Sequence, residues 1–293
     1  MSKKTGREGL KLPVLERLER LDRRYIFIAI FIAVIVPLIF PIWLPVRVSP
    51  EVQGLYDSVE KLPPGSVVYF AADFDPGSMA ELRPMMISTL RHLFRRDIKV
   101  IGACLWPAGP PLLEEGFGIV AEGEYGKKYG IDFVNLGFKE GREAVMVQLG
   151  KSFHSVYPAD YYGKPVSEIP IMKNAYNFDN TAMIVNISAG YPGTKEWIQQ
   201  VKSRFHITIG AGCTAVSAPE FYPYVQSGQL VGLMGGLAGA AEYEKLIGNP
   251  ADATKGMDAQ SLGHVVILIF VILGNIIYFA GGGSKKTGRV KAS

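Results

Sequence analysis

The chain has 293 residues, 48% of them hydrophobic, and a formal net charge of +4. That is long enough for one sizeable domain with additions. The charge is uneven: residues 1–24 carry 8 Lys/Arg against 4 Asp/Glu, residues 46–261 carry 19 against 23, and residues 282–293 carry 4 and no acid. Basic ends around an acidic middle argue against nucleic acid as a partner of the middle.

In chain order, residues 1–24 form a basic amphipathic segment. Val14, Leu15, Leu18 and Leu21 recur at helical spacing and Arg and Glu fill the other face, a pattern for a helix lying on the inner leaflet or pairing with another helix. Tyr25 to Trp43 is uncharged and predicts a first transmembrane helix over 25–45, with Pro37 and Pro41 as kinks. Leu262 to Gly282 is a second uncharged run and predicts another over 262–282. Tyr25, Trp43 and Tyr278 suit interfacial belts. Basic residues flank the outer side of both runs, so both termini, including the basic tail 283–293, are expected in the cytoplasm and residues 46–261 outside it. Asn275, inside the second run, predicts a hydrogen bond to a neighbouring helix.

Residues 46–261 alternate strand-like and helix-like stretches. "SVVYFAAD", "IKVIGACLW", "IDFVNLGF", "TAMIVNIS" and "HITIGAG" are apolar without polar alternation, as in strands buried on both faces. A sixth strand, "QLVGLM", a Gly235-Gly236 turn and a helix from Leu237 to Ile247 close the series. The expected fold is α/β, a doubly wound, mostly parallel sheet of five or six strands in a Rossmann-like three-layer domain held between the two transmembrane helices. Ser78 with Glu81 and Ser217 with Glu220 have the spacing of capping boxes. Residues 157–179, rich in Pro and Tyr, read as an insertion, either a lid or contact surface or packing over the sheet end.

Ligands of open α/β sheets bind beyond the carboxyl ends of the strands. That rim is expected to collect Asp73, Asp75, Trp106, Ser188, Thr214 and Ser217 as ligand-binding residues. Gly210, Gly212 and Ala215 give G-x-G-x-x-A, but after the fifth strand and with Pro219 delaying the helix, so close packing is the better reading. "ADFDPGS" resembles the nucleophile motif of haloacid-dehalogenase-type phosphatases. The resemblance covers about six residues and stops at Asp73 and Asp75, since the late strand ends "VNIS" and "GAGC" carry no acid for magnesium. Ser188 makes half a nucleophile elbow, and "YPG" intervenes before the next helix. Cys104 and Cys213 read as buried thiols. No catalytic set, metal site or cofactor is expected. The expected function is a non-enzymatic structural or scaffolding subunit of a membrane complex, with the bilayer and other subunits or a second copy as partners. The alternatives are a membrane-bound metal-dependent hydrolase using Asp73 and Asp75, and a small-molecule sensor.

Overall fold

A computed structural model describes residues 22–280; the basic segments before and after lie outside the described residues, except for the junction residues 22–24. The chain divides into two compact units. One is the stretch 43–257; the other consists of the flanking segments up to 42 and from 258.

Unit 43–257 is an α/β domain around one six-stranded parallel sheet. Helix α1, Arg23–Ile39, precedes it. The domain opens with α2, Pro50–Glu60, whose Val52, Leu55 and Val59 are buried at spacings of three and four residues. This helix was legible in that spacing but is absent from the expected elements. Then come β1 (Val67–Asp73), α3 (Met79–Arg95), β2 (Lys99–Cys104) and α4 (Gly109–Gly116), which runs on through π-helical turns to Glu124. β3 (Phe133–Phe138), α5 (Arg142–Leu149) and α6 (Phe153–Val156) follow. β4 (Met183–Ser188) leads into α7, which passes from Thr194–Glu196 through π-helical Trp197–Lys202 to Ser203–Phe205. β5 (Ile209–Cys213), α8 (Ala218–Gln226), β6 (Leu233–Gly235) and α9 (Gly236–Leu246) complete the domain. The last helix, α10, is Asp252–Ala280.

The strand order is β3-β2-β1-β4-β5-β6, and every neighbouring pair is parallel. The chain therefore works outward from β1 in one direction and then from β4 in the other, the Rossmann-like arrangement with a switch point between β1 and β4. Apolar residues bury on both faces because helices cover both, which is why the strands lack polar alternation. On one face α2, α3, α4 and α9 supply the core; on the other, α5 to α8.

Some expectations need correction; of the two readings of the insertion 157–179, packing describes most of the segment. Its short 3-10 turns bury Val166, Ile169, Ile171, Met172 and Phe178, and Phe178 joins Phe153 and Trp197 around Tyr69 with ring centroids 5.5 to 5.7 Å apart. Tyr161, Tyr162 and Tyr176 stay exposed. Neither capping box forms. The Ser78 hydroxyl donates back to Asp75, and Glu81 accepts from the Ala215 amide at 2.8 Å; Glu220 pairs with Lys195. Half of such a cap forms at Gly193, whose amide donates to Glu196 at 2.8 Å; glycine has no side chain to complete it. Pro84 lies inside α3 without ending it. It falls early in the helix, where the carbonyl of Ala80 is the group left without its donor.

Among the described residues, one helix, Asp252–Phe279, is long and apolar enough to cross a membrane. The first apolar run is helical over only 17 residues, Arg23–Ile39, about 26 Å against a hydrocarbon core of about 30 Å. It is thus shorter than the span expected over 25–45, because the chain leaves the helix after Ile39, just before Pro41. Gly263 of α10 faces Val34 of α1 closely enough that a Cβ there would lie 3.6 Å from it. The Ile42 amide donates to buried Asp258 at 3.0 Å.

Candidate functional site

The carboxyl ends of the strands form a continuous rim, in which Asp73 pairs in register with Ser188 and Ser188 with Cys213. Asp73, at the switch point, is fully buried. One carboxylate oxygen accepts from the Leu105 amide at 2.7 Å; the other accepts from the Asn186 side-chain amide at 2.9 Å and the Trp197 indole at 3.0 Å. Burial pushes its carboxyl up to about 7, against the downward pull of those three donors. The residue ties β1 to the loop after β2, to β4 and to α7.

The ties continue outward. Asn186 accepts from the Thr194 hydroxyl at 2.9 Å, and that hydroxyl and the Ser188 hydroxyl lie 2.9 Å apart. The Thr194 amide donates to Ser188 at 3.1 Å. Ser188 therefore anchors the start of α7, and its hydroxyl is committed on two sides. Asp75 accepts from the Ser78 amide at 3.2 Å and its hydroxyl at 3.0 Å, an Asx-type cap of the turn Pro76–Ser78. The two acids thus face different tasks: Asp73 is sealed in the interior and Asp75 holds a turn. Among the described residues no group of three or more His, Cys, Asp or Glu gathers as a metal site.

Trp106 donates its indole N–H to the Pro192 carbonyl at 2.9 Å, tying the loop after β2 to the loop after β4. The Thr214 and Ser217 hydroxyls lie 3.1 Å apart and satisfy one another. Both cysteines are buried. Burial pushes the Cys213 thiol up to about 12 and that of Cys104 well above its usual range.

Two cavities open along the rim on either side of the loop after β4. One, of about 330 Å³, lies at the ends of β4 and β5 and is lined by Ser188, Tyr191, Lys195, Ser217, Glu220 and Phe221 among others. The second, of about 240 Å³, lies at the ends of β2 and β3 against Trp106, Phe138, Arg142 and Tyr191. Of the six expected rim residues, Ser188 and Ser217 share the first cavity and Trp106 lines the second. Asp73, Asp75 and Thr214 line neither. Lys195 and Tyr191 were missed; the "YPGTKE" stretch that delays the helix after Ser188 was the available signal.

No protein-family model matches the chain, and no curated protein matches it in sequence. Among solved structures, trehalose-6-phosphate synthase OtsA aligns over 84% of this chain with 11% identity and a TM-score of 0.29. The alignment covers 49% of that enzyme, so this chain spans about half its length, and a likeness this loose carries no argument about activity.

Proposed function

We propose that this protein is a membrane-anchored, non-enzymatic binding or scaffolding subunit, with α1 and α10 in the bilayer, both termini in the cytoplasm and the α/β domain outside it. The observation that carries the reading is the surface of α10. Its most apolar window has a mean hydropathy of 2.4 and is 6% buried, so Leu268, Val271, Ile272 and Phe279 are exposed. Leaving such a surface in water forfeits about 25 cal/mol per Å², whereas lipid accommodates it without cost. α1 exposes Phe27, Phe31 and Ile39 in the same way. The charge asymmetry of the flanks supports the orientation. Against catalysis stands the state of the rim, where Asp73, Ser188 and Cys213 are each buried or committed to structural hydrogen bonds.

Carbonate washing of membranes tests the anchoring: the full chain is expected to stay in the pellet. For orientation, cysteines are placed at exposed Lys61 and at Ser293 in a variant lacking Cys104 and Cys213, and intact cells are treated with an impermeant maleimide. Labelling is expected at 61 only; labelling at 293 alone reverses the orientation. A second reading, a small-molecule sensor, is favoured by the 330 Å³ rim cavity with its hydroxyls and Lys195, a size at the lower end for ligand pockets.

A further inference from the structure

The buried acids of the α/β domain are not equally provided with donors. Asp73 accepts from three N–H groups. Asp160 accepts from the Tyr162 and Lys164 amides and the Tyr129 hydroxyl. Glu244 accepts from three amides and a hydroxyl. Glu196, only 9% exposed, accepts from one donor, the Gly193 amide on its Oε2. Its Oε1 has no hydrogen-bond partner and no cation among the described residues. Withdrawing a carboxylate from water with a single donor is costly. Glu196 lines the cavity of about 330 Å³ at the ends of β4 and β5, so a guest there can supply what the fold does not.

A second open position in the same cavity has the same polarity. Thr194 gives its only hydroxyl proton to Asn186, so Ser188 is the donor across the 2.9 Å contact between the two hydroxyls. Ser188 also accepts from the Thr194 amide at 3.1 Å. A hydroxyl has one proton and two lone pairs, which leaves Ser188 one lone pair and no proton for a guest. Both acceptors adjoin Gly193: its amide holds Glu196, and a Cβ built on it would stand 2.8 Å from the Ser188 Oγ. Lys195, the cation of the lining, pairs with Glu220 at 2.8 Å. Those two charges cancel, and Glu196 leaves the cavity one net negative charge. Phe221 and the Cys213 thiol add apolar lining. Open acceptors and negative charge disfavour a carboxylate or phosphate. They match a cation that donates several hydrogen bonds, as a primary ammonium does with three. One carboxylate and one hydroxyl are too few for a hard metal ion, which takes six or more oxygen ligands.

We propose, resting on the small-molecule reading of this cavity, that it binds a small primary amine as its ammonium ion. The ammonium lies against Oε1 of Glu196 and the Ser188 hydroxyl oxygen, and the hydrocarbon part lies against Phe221. A volume at the lower end for ligand pockets restricts the guest to a short amine.

The full chain in mild detergent is titrated by isothermal calorimetry at neutral pH with butylamine, butanol or butyrate, and injections into detergent alone are subtracted. At that pH butylamine is protonated, as a lysine side chain is, and butyrate is ionised. Butylamine is expected to bind once per chain with a Kd of roughly 1 mM, and butanol and butyrate each roughly tenfold more weakly or worse. Glu196→Gln is expected to weaken butylamine binding roughly tenfold or more and to leave butanol binding unchanged. Lys195→Gln breaks only a half-exposed ion pair and releases Glu220, so butylamine is expected to bind several-fold more tightly; a site for anions would respond in the opposite direction. This second variant keeps Glu196 and tests the charge of the site where Glu196→Gln fails to fold by circular dichroism. Butanol or butyrate bound as tightly as butylamine, or unchanged butylamine affinity in either folded variant, overturns the ammonium site and leaves the small-molecule reading in place. Absence of saturable binding by all three probes removes both.

Discussion

Asp73 and His92 are fully buried titratable side chains with opposite linkage to stability. Asp73 has its carboxyl raised to about 7 from an ordinary 3.8. Between those values the folded chain holds a proton that the unfolded chain has released, so this contribution to stability is lost as pH rises. His92 contacts Tyr243 at 2.7 Å and Glu60 at 3.2 Å, and burial lowers it from 6.5 to about 4. Between those values the unfolded chain holds the extra proton, so stability is gained as pH rises. Each slope is at most about 1.4 kcal/mol per pH unit, and the two oppose each other up to about pH 6.5. In urea unfolding at pH 5 and 7.5, the gap between wild type and Asp73→Asn is therefore expected to narrow as pH rises, and the gap to His92→Gln to widen. Asp73→Asn also presents an amide to three N–H donors and is expected to lose about 1–3 kcal/mol at either pH. Native protein should react with a thiol reagent at pH 8 only after unfolding, because both cysteines are buried and protonated; fast native labelling would contradict this. The sequence showed Asp73 at a strand end but not its fate. Its partners Leu105, Asn186 and Trp197 lie 32, 113 and 124 residues away, and no local pattern links them.

The strands were legible because burial on both sides leaves an unbroken apolar run in sequence. The helix starts were not, because Ser-x-x-Glu spacing permits a capping box without requiring one. Glu81 found the Ala215 amide instead. A cap that spacing does not reveal holds the start of α10. Glu244 of α9 accepts from the amides of Ala251, Ala253 and Thr254 at 2.8 to 2.9 Å, and from the Thr254 hydroxyl at 2.7 Å. Glu244→Gln keeps one acceptor oxygen and turns an amide toward a donor. A loss of about 1–2 kcal/mol is expected, with faster hydrogen exchange at 251–254; unchanged exchange would show that the cap is dispensable. Helix α2 approaches β6 backbone to backbone, and a Cβ on Gly232 would stand 2.2 Å from the Leu55 amide nitrogen. Gly232→Ala is expected to cost upwards of about 2 kcal/mol in thermal unfolding. Asn275 illustrates a local solution that spacing hid: its amide donates to Val271 of its own helix at 2.9 Å. Asn275→Leu is therefore expected to leave the particle size in mild detergent unchanged, and any assembly must rest on other contacts.

At the scale of the domain, the parallel sheet and the two layers followed from the alternation of apolar strands and amphipathic helices, while the strand order was not read from it and the division of the rim into two cavities depends on how the Ser188–Gly193 stretch folds back over the strand ends. The segments on either side of the α/β domain meet each other, with the Ile42 amide on Asp258 at 3.0 Å and α1 against α10 at Gly263. The domain is thereby a polymer loop with its ends already joined. When it unfolds while that base persists, it becomes a ring of about 215 residues rather than a free coil. Joining the ends of such a ring in advance removes chain entropy worth up to about 5 kcal/mol in the cross-link model. The paired base would then act on the domain as a disulfide does, without a covalent bond. The excised stretch 43–257 should unfold at lower urea than the same stretch within the full chain, by a margin that closes when a flexible linker rejoins its ends.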